Sequence, residues 1–193
     1  MLTTSEKIKV YDNILSTEDQ DKIENILTGT EFPWFFGEYT VDDRTVYKNE
    51  TLKNSDPNIK EYPQFTHGFY RQEPFYVSPL YKDIQFLFEN FTRITNIKVS
   101  DILRIKANLQ TQCSFSNTHF YNTPHRDQPI DHTVVIYYVN DSDGDTFIFD
   151  DNQIIKQITP KKGRFLLFDG KYFHSGRHPI QSTKRILLNY NFL

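Results

Sequence analysis

The sequence predicts a mainly β protein with N-terminal helices, whose strands form a double-stranded β-helix, a distorted and cupin-like jelly roll. From residue 101 onward, apolar residues recur with period 2 in many short segments, which is typical of strands. Turn residues separate these segments, and no helical stretch lies between them. A run of short strands of this kind favours a jelly roll. Two amphipathic segments with helical spacing come earlier in the chain.

The first hundred residues predict helices and loops more than sheet. A short strand is expected at 8–11. Ser16 and Asp19 have the spacing of a capping box, and Gly29 is a typical helix end. The helix between them would bury an apolar stripe made of Ile23, Ile26 and Leu27.

Residues 30–77 predict loops and edge strands, with strand-like pieces at 32–36 and 45–47. Aromatic side chains are frequent in the second half of this segment. We expect them to line part of a groove; they are Phe65, Phe69, Tyr70, Phe75 and Tyr76.

A second helix is predicted after Ser78, which can cap it, with Pro79 at the first helical position. Its apolar residues recur at helical spacing, which is typical of a helix packed on a sheet. They are Leu80, Ile84, Leu87, Phe88 and Phe91.

Eight strands are predicted in the second half of the chain, which would form the metal-binding core of a single domain spanning 1–193. Residues 1–100 would be an N-terminal elaboration of that core, and residues 101–193 the core itself. The expected strands are 102–110, 113–121, 132–140, 146–150, 154–158, 164–168, 172–176 and 185–192.

Composition narrows the class of protein. The net charge of −3 does not indicate a nucleic-acid-binding surface. Cys113 is the single cysteine, so no intramolecular disulfide can form. The first ten residues lack the apolar core of a secretory signal, and no apolar run has the length of a membrane span. The expectation is a soluble cytoplasmic protein without a membrane partner.

The pair His125 and Asp127 predicts a metal site. Side chains two residues apart on an extended segment point to the same side, so one imidazole and one carboxylate can reach the same ion. His174 opens a second polar run downstream and is the candidate third ligand. Two histidines and one carboxylate form the facial triad that favours non-haem Fe(II) with open coordination positions.

Arg185, 11 residues after His174, begins the last predicted strand. Alternation places one set of side chains on the same face of that strand, and we expect this face to point into the barrel. The set is Arg185, Leu187, Asn189 and Asn191. A buried arginine needs a charged partner. The guanidinium group could hold the far carboxylate of a dicarboxylic acid by two parallel hydrogen bonds.

In order and spacing, these segments resemble the Fe(II)- and 2-oxoglutarate-dependent dioxygenase family, most closely its prolyl-hydroxylase-like branch and related phage-encoded oxygenases. The resemblance covers about residues 101–193. The segments that carry it are the metal pair at 125–127, the strand 132–140, Gly144-Asp145-Thr146-Phe147, residues 160–168, His174-Ser175-Gly176 and residues 185–192.

The resemblance implies cofactors and further site residues. It implies Fe(II) on His125, Asp127 and His174, with 2-oxoglutarate and dioxygen as co-substrates and ascorbate as an optional reductant. Tyr138 is similar to a family tyrosine that hydrogen-bonds the same carboxylate as Arg185. Asn108 lies on a strand where family members often place a polar residue against the oxo acid. Its face also carries Arg104, Lys106 and Gln110, and this polar face suggests a wall of the barrel lumen.

The implied reaction is hydroxylation of a C–H bond. Peptidyl proline is the substrate that the branch suggests by analogy, and a free amino acid, another small molecule or a nucleobase stays open. Two other classes also stay open: a non-catalytic, cupin-like metal-binding or sensing module, and a structural jelly roll. His119, His132 and His178 are weaker candidates for the metal than the three residues chosen.

Overall fold

The computed structural model describes residues 7–40, 47–48, 62–113 and 121–193. It contains two helices and thirteen strands within those ranges. The helices are α1 (Thr17–Thr28) and α2 (Tyr81–Thr95). The strands are β1 (Ile8–Tyr11), β2 (Phe35–Gly37), β3 (Tyr47–Lys48), β4 (Gln64–Arg71), β5 (Tyr76–Val77), β6 (Ile102–Thr111), β7 (His125–Arg126), β8 (Thr133–Tyr138), β9 (Thr146–Asp150), β10 (Gln153–Ile158), β11 (Phe165–Asp169), β12 (Phe173–Gly176) and β13 (Lys184–Phe192).

The strands form two antiparallel sheets. The larger has the order β1-β11-β8-β13-β6-β4-β2, with β5 paired to β4. The smaller has the order β10-β9-β12-β7-β3. Strands from the first hundred residues extend the core sheets, because β1 pairs with β11, β4 with β6 and β3 with β7.

Strand β13 separates two apolar layers. Its Ile186, Leu188, Tyr190 and Phe192 lie in the core cluster that packs against the helices. Leu187 points the other way, into the cluster between the sheets. This is the period-2 alternation expected of a strand buried on both faces, and it confirms the predicted division of the strand into two faces.

The two helices cover the outer face of the larger sheet. Ser16 caps α1 by accepting a hydrogen bond from the backbone N–H of Asp19, as the capping pattern predicts. Helix α2 packs through stacked rings, with Phe88 4.6 Å from Tyr190 and Phe91 4.5 Å from Phe165 between ring centroids. These contacts hold α2 against β13 and β11 of the larger sheet.

Three local expectations are corrected. Helix α2 begins two residues after Pro79, because the Ser78 hydroxyl accepts from the N–H of Leu80 and closes a turn first. Phe69 is fully buried in the helix-side core and lines no groove. Residue 113 and residue 121 are not in strands, and residues 114–120 of that predicted strand, His119 among them, lie outside the described part of the chain.

No helix in the described ranges has the length and apolar character needed to cross a membrane.

Candidate metal centre and the cavity beside it

The three predicted ligands converge between the two sheets. His125 lies on β7 and His174 on β12, and these residues are directly paired across the two strands. Nε2 of His125 is 3.8 Å from Oδ1 of Asp127, and Nε2 of His174 is 3.7 Å from Oδ2. One ligand atom from each residue lies within 4.8 Å of the other two. Two metal–ligand bonds of about 2.1 Å span at most about 4.2 Å, which covers both histidine–aspartate distances. A pair at the 4.8 Å limit would have to move closer by about 0.6 Å on binding one ion.

Both histidines of this group are neutral, which is the form that can bind a metal ion. Burial lowers the pKa of His174 to about 3, although the Asp127 carboxylate opposes that shift. Burial likewise lowers the pKa of His125. Nδ1 of His125 lies 3.0 Å from the Thr123 carbonyl, which can only accept, so the proton is on Nδ1 and the Nε2 lone pair faces Asp127.

Three side chains hold the Asp127 carboxylate. Nδ2 of Asn189 and Nδ2 of Asn191 each donate to Oδ2 at 2.9 Å, and the Arg104 guanidinium lies 2.7 Å from Oδ1. Burial alone would raise the pKa of Asp127, but the charge of Arg104 and the hydrogen bond from Asn189 lower it, and it lies well below its usual range. The carboxylate is therefore charged and oriented before any metal arrives.

A polar cavity adjoins this triad. Its wall includes His125, Asp127 and His174 together with residues from β6, β9 and β13. The remaining lining residues are Thr40, Gln64, Lys106, Asn108, Gln110, Asn122, Ile136, Thr146, Ser175, Gly176, Arg185, Leu187 and Asn189.

Arg185 lies at the deep end of the cavity, where it is 3 % exposed. Its two terminal nitrogens donate to Oε1 of Gln110 at 2.7 Å and to the Thr146 hydroxyl at 2.8 Å. Neither partner carries a charge, and burial lowers the pKa of the guanidinium group. The hydrogen bonds of this buried cation go to neutral groups, and the Asp145 carboxylate acts on it only through space, raising its pKa. The guanidinium group is therefore arranged to receive an anion as a direct partner.

Tyr138 lies behind Thr146. Its hydroxyl donates to the Thr146 oxygen at 2.7 Å, and Tyr138 is not among the residues of the cavity wall. Burial raises the pKa of Tyr138 to about 12, so the phenol stays protonated. Thr146 is thus the hydroxyl that faces the cavity, and Tyr138 orients it.

Asn108 lines the cavity between the triad and Arg185, opposite Leu187 on β13. Its Nδ2 donates to Oε1 of Gln64 at 2.9 Å. The structure therefore brings all three predicted metal ligands, Arg185 and Asn108 to one cavity, and places Tyr138 one residue behind its wall.

The sequence assigned no specific role to several residues of the site. Thr146, Gln110 and Asn122 line the cavity, and Arg104 and Asn191 hold Asp127. Arg104 and Gln110 share the inward face of β6 with Asn108, and Asn191 shares a face of β13 with Arg185. Strand alternation placed these three on faces predicted to line the barrel, but it could not give the side chains that they contact. No sequence pattern around Thr146 or Asn122 indicates that either residue lines the cavity.

The other histidines have different partners. Nδ1 of His132 lies 2.8 Å from the Ile130 carbonyl, and Nδ1 of His178 lies 3.1 Å from the Thr111 carbonyl and 3.5 Å from Sγ of Cys113. Neither joins the metal group that the described residues form.

Comparison with known proteins rests on structure. No family model and no curated protein matches the sequence. An oxidoreductase of the 2OG-Fe(II) oxygenase family from Burkholderia pseudomallei superposes with a TM-score of 0.67 at 12 % identity, covering 96 % of this chain and 85 % of that one.

Two further structures are similar. A prolyl hydroxylase from Trichoplax adhaerens, in complex with a hypoxia inducible factor peptide fragment, gives a TM-score of 0.58 at 14 % identity, covering 96 % of this chain and 83 % of that one. HygX from Streptomyces hygroscopicus, with nickel, 2-oxoglutarate and hygromycin B bound, gives 0.54 at 10 % identity, covering 96 % and 82 %. The chain thus has the double-stranded β-helix fold of the 2-oxoglutarate- and Fe(II)-dependent oxygenases, as the sequence predicted.

Proposed function

We propose that this protein is an Fe(II)- and 2-oxoglutarate-dependent dioxygenase that hydroxylates a C–H bond. The observation that carries the proposal is the placement of a His-Asp-His group and a buried arginine in one cavity. The fold by itself does not determine function; the ligands that these side chains can bind indicate it.

The triad fits a divalent iron ion. Two neutral imidazole nitrogens and one carboxylate oxygen converge from one side, which leaves coordination positions open on the cavity side. When bound there, Fe(II) with 2-oxoglutarate would supply the oxidising chemistry that amino-acid side chains lack.

The deep end of the cavity fits the distal carboxylate of 2-oxoglutarate. Arg185 would give two parallel donors to its oxygens, and the Thr146 hydroxyl, oriented by Tyr138, a third. Gln110 positions the guanidinium group from the opposite side. Asn108 lies on the path between this end and the triad, where its amide could touch the co-substrate or the substrate.

For the substrate we propose two chemical classes and no single compound. The Trichoplax adhaerens neighbour is a prolyl hydroxylase in complex with a peptide fragment, and HygX has hygromycin B bound. A peptide, with peptidyl proline favoured by analogy, and a small polar molecule are the two substrate classes that these neighbours suggest for this chain.

The test is anaerobic addition of Fe(II) and 2-oxoglutarate, followed by succinate measurement after admission of air. We expect a weak visible charge-transfer band, which requires both ligands at one centre, and then succinate release. His174→Ala should lose the band and the succinate. His132→Asn, which removes a nearby imidazole outside the triad, should keep both. Full succinate release by His174→Ala would overturn the ligand assignment.

A further inference from the structure

Two amides of the cavity wall have a fixed orientation. Nε2 of Gln64 donates to the Thr40 carbonyl at 2.9 Å, and a carbonyl can only accept. Oε1 of Gln64 must therefore face Asn108, where it accepts from Nδ2 at 2.9 Å. Oδ1 of Asn108 is therefore the one amide atom of this hydrogen-bonded series that is left to accept from another group. That oxygen is buried, and no described residue donates a hydrogen bond to it.

Asn122 presents a second unpaired amide. Its backbone is held on β12, because its N–H donates to the Gly176 carbonyl and its own carbonyl accepts from the Ser175 hydroxyl. The side chain lines the cavity, and the residue is 2 % exposed. Neither Oδ1 nor Nδ2 has a hydrogen-bond partner among the described residues.

Unpaired buried amides of this kind are uncommon, because a buried polar group without a partner loses its hydration and gains nothing in return. Here two of them line the cavity that holds the metal triad. Such groups are usually completed by a ligand or by ordered water.

The proposed co-substrate cannot complete them. At neutral pH, 2-oxoglutarate has two carboxylates and a keto group, which are all acceptors. It can accept from Nδ2 of Asn122 and from Arg185, but it has no N–H or O–H to donate to Oδ1 of Asn108 or Oδ1 of Asn122. Exchanging the two ends of the Asn122 amide changes nothing, because one acceptor remains in either orientation.

We propose, on the basis of the function proposed above, that Asn108 and Asn122 recognise a substrate that carries an N–H or O–H donor close to the C–H bond that reacts. The substrate is thus an amide, an amine or an alcohol, and a hydrocarbon or a purely acceptor-bearing acid is excluded. Asn108 is accordingly a substrate contact in addition to a wall of the co-substrate site.

The experiment uses the full chain loaded with Mn(II) and 2-oxoglutarate. Mn(II) is paramagnetic, so it speeds the relaxation of ligand protons that bind near it. The probes are matched pairs that differ only in a capped donor: acetamide and N,N-dimethylacetamide, 2-methoxyethanol and 1,2-dimethoxyethane, and N-acetylprolinamide and its N,N-dimethylamide. For each pair, the ratio of methyl-proton relaxation enhancements is measured at saturating 2-oxoglutarate.

We expect at least one donor-bearing probe to exceed its capped partner by about threefold or more, the value of one net hydrogen bond. Asn122→Leu and Asn108→Ala should each bring that ratio close to one. Asn122→Leu breaks no side-chain hydrogen bond of the described residues, so it should fold at least as stably as the parent. Asn90→Leu, an amide deletion on α2 outside the cavity, should leave the ratio unchanged.

The outcomes separate the two proposals. Absence of 2-oxoglutarate binding to the Mn(II) protein would count against the proposed function. Binding of 2-oxoglutarate with a ratio near one for every pair would overturn the substrate inference, since the amides then hold only water. A ratio that persists in both variants would also overturn it, because the donor would be recognised elsewhere.

Discussion

The Arg104 guanidinium lies 2.7 Å from Oδ1 of Asp127, so a cation already occupies one side of the carboxylate that the proposed metal requires. The two side chains are 19 % and 5 % exposed. Arg104 therefore serves as the counter-ion of a buried acid in the metal-free protein, and a divalent ion would take over that role on binding.

Arg104→Met should destabilise the metal-free protein more than the metal-bound protein. Removing one partner of a buried ion pair lowers the free energy of unfolding by about 3–5 kcal/mol. Because Arg104 is partly exposed, we expect a loss near the lower of these values. Thermal unfolding with and without Mn(II) should show a lower Tm for the metal-free variant and a larger rise on adding metal. Arg104→Lys keeps the charge and should behave like the parent. An equal metal-induced rise in both proteins would contradict the counter-ion role.

Asn189→Leu should weaken metal binding. Asn189 and Asn191 both donate to Oδ2 of Asp127, and Nδ2 of Asn191 also donates to Oδ1 of Asn189 at 3.0 Å. Loss of such outer contacts typically lowers metal affinity about 10–100-fold. Titration with Mn(II) measures the effect.

The double variant of Asn189 and Asn191 should lose less affinity than the two single variants combined, because these residues act as one unit. Asn90→Leu is the matched control on α2. A fully additive pair would show that each asparagine positions Asp127 independently.

Arg185→Leu should raise the apparent KM for 2-oxoglutarate at least about thirtyfold, because a buried charged hydrogen-bond pair contributes about 2–5 kcal/mol. Succinate release at varied 2-oxoglutarate is the measurement. Lys184→Leu removes the neighbouring positive charge without reaching the cavity wall and should change the KM little. An unchanged KM in Arg185→Leu would remove the carboxylate clamp from the proposal.

The metal-free protein should lose stability as pH falls from about 6.5 towards about 3. The pKa of His174 is lowered to about 3 by burial, whereas an unfolded histidine titrates near 6.5. The unfolded chain therefore binds more protons in that interval, so its population grows as pH falls.

The depressed pKa of Asp127 acts in the same direction. Its stabilising contribution is complete above the unfolded value of about 3.9 and is lost as pH falls towards the folded value. His174→Asn should flatten the curve of Tm against pH between 4 and 6.5. A variant with the same slope as the parent would show that other groups dominate this range.

Gly144→Ala should displace the Arg185 side chain, although Gly144 itself does not line the cavity. A Cβ atom at this position would lie 2.5 Å from the Arg177 carbonyl oxygen and 2.8 Å from Cδ of Arg185. We expect a loss of about 1–3 kcal/mol in stability and weaker 2-oxoglutarate binding, measured by thermal unfolding and titration. Gly68→Ala, where a Cβ meets nothing within 4 Å, is the control. Equal effects at both positions would contradict the steric argument.

The fold and the convergence of the three candidate metal ligands could be predicted, largely from local pattern. Strand alternation gave the two faces of β13, and the capping residues gave the start of α1. The spacing of His125 and Asp127 needed only an extended backbone. His174 was harder, since its place opposite His125 depends on pairing between β7 and β12, and the resemblance to the family supplied that link.

Contacts between distant strands could not be predicted in the same way. Arg104 reaches Asp127 only because the larger sheet closes over the smaller one, and Gln64 orients Asn108 across 44 residues of sequence. Thr146 comes between Tyr138 and the cavity because β9 and β8 belong to facing sheets. Each of these contacts is set by tertiary packing, which single-sequence patterns do not encode.

Strand β13 lies between the helix-side core and the cavity. On the helix side Tyr190 stacks on Phe88, and on the cavity side Asn189 and Asn191 donate hydrogen bonds to Asp127. A substitution that disturbs packing beneath α2 should therefore shift Asn189 and Asn191, which are the backbone neighbours of Tyr190, and so move Asp127, the proposed metal ligand. Directed evolution for tighter metal binding should accordingly return substitutions in the helix layer, far from any atom that touches the ion.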